Sequence, residues 1–326
     1  MEHQKAQAVL SVKQPRQPTC AYEVAILLCT YNGKAFLKSQ IDSFVEQTHK
    51  KWTLYISDDG STDGTLSILE EYKALIEENR IRLFTGPRAG FAENFMSLIR
   101  NAEINADFYA FSDQDDIWFK DKLERSIHQL HESPQHLPAM YCSRTRLIDE
   151  ENNIIGFSPI FTRPPTFQNA LIQSIAGANT MLINSRARNI LSCIPQDMDI
   201  IAHDWLTYLV TSGCGGNVVF DVQPTLDYRQ HSANVIGANI GFKDSILRLG
   251  KVFEGQFRIW SDANVAILEY LQDHLTETSK KTLYEFTQSR NSSILTRLRL
   301  ANKSGIYRQT LKGNISLFLA VLLNKI

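Results

Sequence analysis

The sequence predicts an α/β fold built on a mostly parallel sheet with helices on both faces. Three features predict it: short apolar runs recur in the first half of the chain, helix-spaced apolar residues separate them, and a polar cluster follows three of the runs. Regular alternation of strand and helix is typical of parallel sheets, whose strands are buried on both sides. With 43% hydrophobic residues, the 326-residue chain can form one large domain, or a domain with an appendage.

The predicted elements alternate along the chain. Continuous apolar runs predict four strands, at residues 24–29, 52–57, 81–84 and 107–112. Apolar residues three or four positions apart predict the helices between them, at residues 36–45, 65–78 and 91–102. Further along, the sequence predicts strands at residues 176–184 and 225–231 and an amphipathic helix within residues 201–210.

Composition and charge exclude several function classes. The 34 Lys and Arg residues nearly balance the 35 Asp and Glu residues, so no global basicity indicates nucleic-acid binding. The five cysteines include no C-x-x-C pair, and three lie in apolar runs, which predicts reduced, buried thiols in a reducing compartment. Residues 1–20 have no apolar core of signal-peptide length and are predicted to be a flexible leader. We therefore expect a cytoplasmic protein.

Polar clusters follow the first, second and fourth predicted strands. They read CTYNG (29–33), SDDGSTDGT (57–65) and SDQDD (112–116). Because the carboxyl ends of parallel strands open on one edge of the sheet, ligands bind there, and these three loops predict one site. In the second loop, Gly60 and Gly64 fit a turn, whereas Asp58 and Asp59 are free to accept hydrogen bonds from a ribose or a base.

The third loop places Asp113, Asp115 and Asp116 within four positions. Such a row of carboxylates needs a cation, a basic neighbour or raised pKa values. Mg²⁺ and Mn²⁺ bind through oxygen ligands, usually one or two carboxylates together with substrate phosphates and water. The simplest interpretation is a metal that joins this loop to a diphosphate. Asp116 and Asp121 also fit a solvated acidic start of the next helix.

Four ordered motifs carry a resemblance to a known family. ILLCTYNGKAFLKSQIDSFVEQT, LYISDDGSTDGT, GFAENFMSLI and FYAFSDQDDIWFKDKLE resemble the inverting glycosyltransferases of family 2. The form SDQDDIW is particularly similar to bacterial rhamnosyltransferases that build surface polysaccharide or lipopolysaccharide. The resemblance covers about residues 22–235. It implies the GT-A fold, a Rossmann-like sheet in a catalytic domain (21–238), followed by a helical C-terminal region (239–326).

The resemblance also implies roles for individual residues. Asp204 would be the general base, with His203 in place of the glutamate usual in the family, and Asp115 and His231 would bind Mg²⁺ or Mn²⁺. The donor would be a nucleotide-diphosphate sugar, dTDP-L-rhamnose in the first place, and the acceptor a glycan or lipid-linked glycan. The implied nucleotide-sugar contacts are Thr30, Asn32, Asp59, Asn94, Asp113, Gly177 and Arg229.

The residues themselves agree with several of these roles. His231 ends a strand-like segment with Arg229 two positions before it, so both can face a diphosphate. Gly177 lies in a run of small residues that lets a sugar approach closely. Asp204 begins an amphipathic run, so a helix N-cap is the structural alternative for this residue.

Two other functions stay open at this stage. A haloacid-dehalogenase-type phosphatase also has an apolar strand followed by D-x-D, but it requires Thr or Val where this chain has Ile117, and its nucleophile loop normally opens the fold. A binding or scaffolding protein with the same fold is the second alternative. A dinucleotide dehydrogenase is disfavoured because no G-x-G-x-x-G follows any predicted strand.

The C-terminal region ends in an apolar segment, RQTLKGNISLFLAVLLNKI (308–326). Its run from Ile315 to Leu323 would rise about 13 Å as a helix, less than half the hydrocarbon thickness, so it cannot span a membrane. It can lie in the membrane interface with Arg308, Lys312 and Lys325 among anionic headgroups, or it can pack on the catalytic domain or a partner subunit. A lipid-linked acceptor favours the peripheral membrane contact.

Overall fold

A computed structural model describes residues 21–231 and 256–326. The strands are β1 (Val24–Thr30), β2 (Trp52–Asp58), β3 (Ile81–Thr85), β4 (Phe108–Ser112), β5 (Ile117–Trp118), β6 (Ala139–Ser143), β7 (Arg146–Ile148), β8 (Ile154–Phe157), β9 (Leu182–Asn184), β10 (Asn217–Asp221) and β11 (Leu226–Arg229). The α-helices are α1 (Leu37–Val45), α2 (Thr65–Leu75), α3 (Phe91–Arg100), α4 (Lys122–Leu130), α5 (Phe167–Ala170), α6 (Ser185–Ser192), α7 (His203–Gly213), α8 (Gln256–Tyr270), α9 (Glu277–Arg290), α10 (Ile294–Ser304) and α11 (Leu311–Leu322).

The main sheet has seven strands in the order β10-β6-β9-β4-β1-β2-β3. Strands β4, β1, β2 and β3 are parallel, and β9 is antiparallel to both of its neighbours. The α/β class is confirmed. Each of the four strands predicted in the first half begins and ends within one residue of the predicted position.

Helices cover both faces of this sheet. Alternate residues of β1 belong to different hydrophobic clusters: Ala25 and Leu27 lie in one, Ile26 and Leu28 in the other. The first cluster includes side chains of α3 and α7, and the second those of α1, α2 and α4. The period of two along a fully buried strand therefore explains why β1 is an unbroken apolar run.

A second, four-stranded sheet has the order β5-β11-β7-β8. Its β5 follows the SDQDD loop directly and pairs antiparallel with β11, with Trp118 opposite Leu226. This pairing brings the residues after β11 back to the end of β4. Sequence positions more than a hundred residues apart thus meet at one edge of the main sheet.

The described part of the C-terminal region, 256–326, is helical as predicted. It packs on the sheet face that carries α3 and α7, because Phe257, Phe286, Leu317 and Ile326 belong to the same hydrophobic cluster as the helices there. The predicted leader (1–20) and the predicted boundary at residues 238 and 239 lie outside the described residues. Among the helices at 21–231 and 256–326, none has the length and apolar character needed to cross a membrane.

The prediction of one strand over residues 176–184 was wrong. Ala178–Thr180 form a 3₁₀ turn, and the strand β9 is limited to Leu182–Asn184. The Thr180 hydroxyl donates to the Gly177 carbonyl oxygen at 2.8 Å, and this local bond favours the turn over an extended chain. The prediction for the cysteines was better: Cys29, Cys142 and Cys214 are free and buried, and Cys193 is free and exposed.

Candidate active site

A cavity of about 1830 Å³ lies at the carboxyl ends of β1, β2 and β4, where the three polar loops meet. The predicted site residues Thr30, Asn32, Asp59, Asn94, Asp113, Asp115, Gly177, Asp204 and His231 all contribute to its wall. Its volume exceeds the ~300–1,000 Å³ of an ordinary small-molecule site. The cavity therefore has room for more than one small molecule.

Thr30 and Asn32 hold the first loop against the second. The buried Thr30 hydroxyl donates to Asp58 Oδ2 at 2.8 Å, and Asn32 Oδ1 accepts from the Thr62 amide at 2.9 Å. Asn32 has a φ of 49°, a left-handed conformation that asparagine tolerates better than most residues. Contact of either residue with a nucleotide stays a prediction, since much of their polar capacity is used within the protein.

The two carboxylates at the end of β2 have different surroundings. Asp58 is buried and accepts bonds from the Ser61 amide and hydroxyl at 2.8 and 2.6 Å as well as from Thr30, so it serves the turn and not a ribose. Asp59 lines the cavity and accepts from the amides of Arg88 and Gly90 at 2.6 and 3.2 Å. These bonds fix the Asp59 carboxylate at the cavity wall.

Asn94 lies next to Asp59 in the wall. Its Nδ2 donates to the Ser57 carbonyl oxygen at 3.0 Å, while its buried Oδ1 has no hydrogen-bond partner among the described residues. Asn94 Oδ1 and Asp59 Oδ1 both lie against Gly86, where an added Cβ would meet them at 2.7 and 2.8 Å. A side chain at position 86 would therefore displace these two oxygens.

Asp113 and Asp115 at the end of β4 face the cavity. Burial, together with the neighbouring carboxylates of Asp115 and Asp204, raises the pKa of Asp113 to about 7. Gln114 between them bonds both polar groups of Tyr31, with Oε1 accepting at 2.9 Å and Nε2 donating at 3.0 Å. This link between the first and third loops was not predicted, because no pattern singles out a glutamine.

The interpretation of Asp116 as part of a solvated helix start was wrong. Asp116 is fully buried, and its Oδ2 accepts from Asn179 Nδ2 at 2.6 Å. Burial, followed by the charges of Asp115 and Asp113, raises its pKa well above the usual value. Asp121 by contrast is exposed at the N-cap of α4.

The buried Lys122 completes the surroundings of Asp116. Its Nζ donates to the Thr180 carbonyl oxygen at 3.2 Å and lies 4.5 Å from the centre of the Trp118 ring. Burial lowers the pKa of Lys122 to about 7, and the Asp116 carboxylate acts in the opposite direction. A buried carboxyl and amine thus form the support behind the SDQDD loop (112–116), where the sequence indicated a solvated helix start for Asp116.

Arg229 does not reach the cavity wall as predicted. The side chain is 2% exposed, its Nε donates to the Asp115 carbonyl oxygen at 2.9 Å, and its guanidinium lies 4.5 Å from the Phe36 ring centre. Nη1 donates to the carbonyl oxygens of Asp149 and Glu150 at 3.1 and 3.2 Å. Arg229 therefore positions the loop that carries Asp115, and it does so from behind.

Replacing Arg229 should show this positioning role. Arg229→Met keeps much of the volume but leaves three partly buried carbonyl oxygens without their charged donor. We expect it to lower the free energy of unfolding by about 1–3 kcal/mol, because hydrogen bonds from a charged group are lost together. Denaturant unfolding of this variant beside the exposed Arg82→Met measures the difference. Loss of donor binding without loss of stability would instead make Arg229 a ligand contact.

Asp115 and His231 meet at the edge between the two sheets. His231 Nε2 lies 2.7 Å from Asp115 Oδ2, although the two residues are 116 positions apart. One carboxylate oxygen and one imidazole nitrogen can ligate a divalent cation that takes its further ligands from phosphate and water. Within residues 21–231 and 256–326 no group of three such side chains converges, so a cation here would need those other ligands.

Asp204 lies in the first turn of α7, inside the helix and not at its N-cap, which is Ala202. Its Oδ1 accepts from the Trp205 amide at 2.7 Å. Burial at the cavity wall raises the pKa of Asp204 to about 6, against the lowering effect of its backbone hydrogen bonds. A carboxylate with this pKa is ionised at neutral pH yet basic enough to take a proton.

His203 precedes Asp204 and is 4% exposed, surrounded by aromatic rings. Its ring stacks on Phe95 with 4.0 Å between centroids, and Phe91 and Phe111 meet it edge-on at 5.9 and 5.4 Å. Neither ring nitrogen has a partner among the described residues. Burial lowers the pKa of His203 to about 3, so it is neutral and does not compete with Asp204 for a proton.

The far wall of the cavity comes from segments that no motif indicated. Apolar side chains of Phe157, Phe161 and Phe220 lie there, together with Arg308, Thr310 and Gly313 from the loop before α11 and its first turn. Sequence patterns could not find these residues, because they enter the site through tertiary packing of both sheets and the C-terminal helices.

Comparison with known proteins agrees with this architecture. Residues 25–185 match the profile of glycosyl transferase family 2. The chain is 32% identical over 242 residues to the dTDP-rhamnosyl transferase RfbG of Shigella flexneri, covering 71% of this chain and 81% of that protein. A shorter match, 32% over 136 residues, links it to the UDP-Glc:alpha-D-GlcNAc-diphosphoundecaprenol beta-1,3-glucosyltransferase WfgD of Escherichia coli, with 41% of this chain and 50% of that protein covered.

Solved structures show the same fold at low sequence identity. S. aureus TarS 1-349 in complex with UDP-GlcNAc aligns with a TM-score of 0.50 and 13% identity, covering 87% of this chain and 93% of that one. GalNAc-T7 with UDP, GalNAc and Mn²⁺ aligns with a TM-score of 0.52 and 11% identity, covering 91% and 59%. The fold is therefore the GT-A fold of glycosyltransferases.

A mostly parallel sheet with a carboxylate-rich cavity at its carboxyl edge places this chain among α/β proteins that bind their ligands at that edge. The chain belongs to glycosyl transferase family 2, and it is a glycosyltransferase of the kind represented by the rhamnosyl transferase relative.

Proposed function

We propose that this glycosyltransferase is metal-dependent and inverting, and that it transfers L-rhamnose from dTDP-L-rhamnose to a hydroxyl of a surface-glycan or lipopolysaccharide acceptor. One observation carries the proposal: Asp113, Asp115, His231 and Asp204 line a single cavity at the carboxyl edge of the sheet. Metal-ligating and proton-accepting groups are thus available in the same space. The rhamnosyl donor is supported by the name of the relative that is 32% identical and covered over 81% of its length.

Asp204 is the general base of the proposed mechanism. Its carboxylate takes the proton of the acceptor hydroxyl, whose oxygen forms a bond to the anomeric carbon while the bond from that carbon to the diphosphate breaks. Attack from the face opposite the diphosphate inverts the configuration, so no covalent bond to the enzyme is needed. Burial helps, because a raised pKa makes the carboxylate a stronger base while it is still ionised near neutral pH.

Asp115 and His231 would hold the Mg²⁺ or Mn²⁺ ion. Such an ion supplies Lewis-acid stabilisation of the charge that develops on the leaving diphosphate. The residues behind them keep the two ligands in place: Arg229 bonds the Asp115 carbonyl oxygen and Asp116 accepts from the Arg229 amide at 3.2 Å. Asp59, Asn94 and Asp113 would contact the nucleotide, and Gly177 would give space for the sugar.

A glycan or lipid-linked glycan is the proposed acceptor. The cavity is larger than a nucleotide sugar needs, and its far wall combines three phenylalanine rings with Arg308. One relative is named for an acceptor with a diphosphoundecaprenol carrier, which supports a lipid-linked substrate. We accordingly propose a cytoplasmic enzyme that works at the inner face of the membrane.

A donor-hydrolysis screen tests the function. The purified chain is incubated with dTDP-L-rhamnose and a panel of UDP- and GDP-sugars, with and without Mn²⁺, and release of nucleoside diphosphate is measured. We expect the fastest release from dTDP-L-rhamnose and with metal. Preference for a UDP-sugar would refute the rhamnosyl donor alone, whereas no release from any donor, even with mixed glycan acceptors, would favour a non-catalytic binding protein.

A further inference from the structure

The last 36 residues of the chain, 291–326, have an unusual charge pattern. They contain no Asp or Glu, although the whole chain has a net charge of −1. They contain six basic residues, which are Arg297, Arg299, Lys303, Arg308, Lys312 and Lys325. Lys303 pairs with Glu285 at 2.8 Å, and Arg297 donates to the carbonyl oxygens of Ser292, Val321 and Leu322. The segment is still basic against a nearly neutral background, chiefly through Arg299, Lys312 and Lys325, and it can attract an anionic surface.

Helix α11 in this segment is apolar on both sides. Its inner side packs in the core through Leu317, Ala320 and Val321. Its outer face is formed by Leu311, Ile315, Phe318, Leu319 and Leu323, all of them exposed. An apolar side of a helix is normally covered by protein or by lipid, and this chain covers only one of the two apolar sides of α11.

The exposed residues form one continuous stripe. Leu311, Ile315, Phe318 and Leu319 are spaced by four, three and one positions, which places them on the same side of a helix. Ile315 and Phe318 are each 56% exposed. The neighbouring helix α10 begins with two further exposed apolar residues, Ile294 and Leu295, and its Arg297 donates to the Leu322 carbonyl oxygen at 3.2 Å.

The N-terminal end of α11 adjoins the candidate active site. Arg308 and Thr310, just before the helix, and Gly313 in its first turn line the cavity. A flat surface that contacts the outer face would therefore lie beside this part of the cavity. The helix is 12 residues long and apolar enough to enter an interface, but too short to cross a bilayer.

We propose that the outer face of α11 docks on a bilayer that contains anionic lipid, with Arg299, Lys312 and Lys325 among the headgroups. Charge selects the bilayer over a second copy of this chain, because two basic surfaces of the same kind repel each other. Docking itself is independent of the proposed reaction. Its use in presenting a lipid-linked acceptor to the cavity rests on the proposed function.

Vesicle flotation of the full chain tests the docking. Vesicles of phosphatidylcholine with phosphatidylglycerol are compared with vesicles of phosphatidylcholine alone. The double variant Phe318→Gln, Leu319→Gln changes the outer face, and Leu75→Gln on α2 is the control, since Leu75 is also exposed and apolar (79% exposed). We expect the wild type and the control to float with anionic vesicles at low salt. The double variant should bind these vesicles at least about tenfold more weakly.

Three further measurements decide between interpretations. Thermal melting should show the double variant folded, because Phe318 and Leu319 are outside the core, whereas truncation at Gly313 would remove the core residues Leu317 and Val321. Donor hydrolysis without vesicles should be unchanged in the double variant, which separates docking from catalysis. Wild type that stays with the soluble fraction overturns the proposal, and so does concentration-dependent self-association that the double variant abolishes while vesicle binding is unchanged.

Discussion

Asp204→Asn is expected to reduce turnover by about 10²–10⁴-fold, the usual effect of removing a general base. Donor affinity should change little, because the amide keeps the shape and can still accept from the Trp205 amide, as Asp204 Oδ1 does at 2.7 Å. The stability of α7 should be retained for the same reason. Turnover with a saturating donor and acceptor, together with donor titration by calorimetry, measures both quantities. Asp199→Asn is the matched control, because Asp199 is exposed and lies five residues before Asp204.

The pH dependence gives an independent test of Asp204. A base must be ionised, so turnover should rise with pH and level off above the pKa, which burial raises to about 6. Below that value the carboxyl is increasingly protonated and the rate falls about tenfold per pH unit. This acid limb should be absent from the residual activity of Asp204→Asn. Equal losses of donor affinity and of turnover in the variant would make Asp204 a pocket residue instead.

The sheet and the position of the site could be predicted because both depend on local patterns. A strand buried on both faces must be apolar throughout, and residues 24–29 and 107–112 show this without knowledge of their neighbours. The loops that follow such strands meet at one edge by topology alone. Asp59, Asp113 and Asp115 could therefore be placed at one edge before any contact was known, whereas Asp204 was assigned from the resemblance to the family.

The support behind the site could not be predicted in this way. Asp116 and Lys122 have the sequence appearance of an exposed helix start, yet both are fully buried. Their burial depends on partners from distant segments, Asn179 and Thr180, which lie in a turn that the sequence indicated as a strand. The spacing of Arg229 and His231 suggested a shared direction, but Arg229 turns inward to bind three carbonyl oxygens. Tertiary contacts override the local pattern at these positions.

The C-terminal helices show a third case. The apolar run at 315–323 allowed either packing on protein or contact with a membrane, and the structure assigns the two sides of α11 differently. Leu317 and Val321 pack in the core, while Ile315 and Phe318 are exposed. Hydropathy alone could not separate the sides, because both are apolar.

Asp115→Asn is expected to abolish most of the metal-dependent part of nucleotide binding. Wild-type chain should bind dTDP clearly more tightly with Mn²⁺ than without, because the cation joins the protein to the diphosphate. The variant loses one of two protein ligands. Even changes to residues that only hydrogen-bond to a metal ligand lower the affinity for the metal by about 10–100-fold. Its affinity with Mn²⁺ should therefore fall to nearly the value without metal.

His231→Ala should have the same effect on dTDP binding, since Asp115 and His231 act through one ion and lie 2.7 Å apart. Asp121→Asn, on the exposed N-cap of α4, is the control for the loss of a nearby negative charge. Calorimetric titration of each variant with dTDP, with and without Mn²⁺, needs no turnover and so does not depend on the choice of acceptor. If the wild type binds dTDP equally well in both conditions, Asp115 and His231 form a simple ion pair and the transfer needs another source of charge stabilisation at the diphosphate.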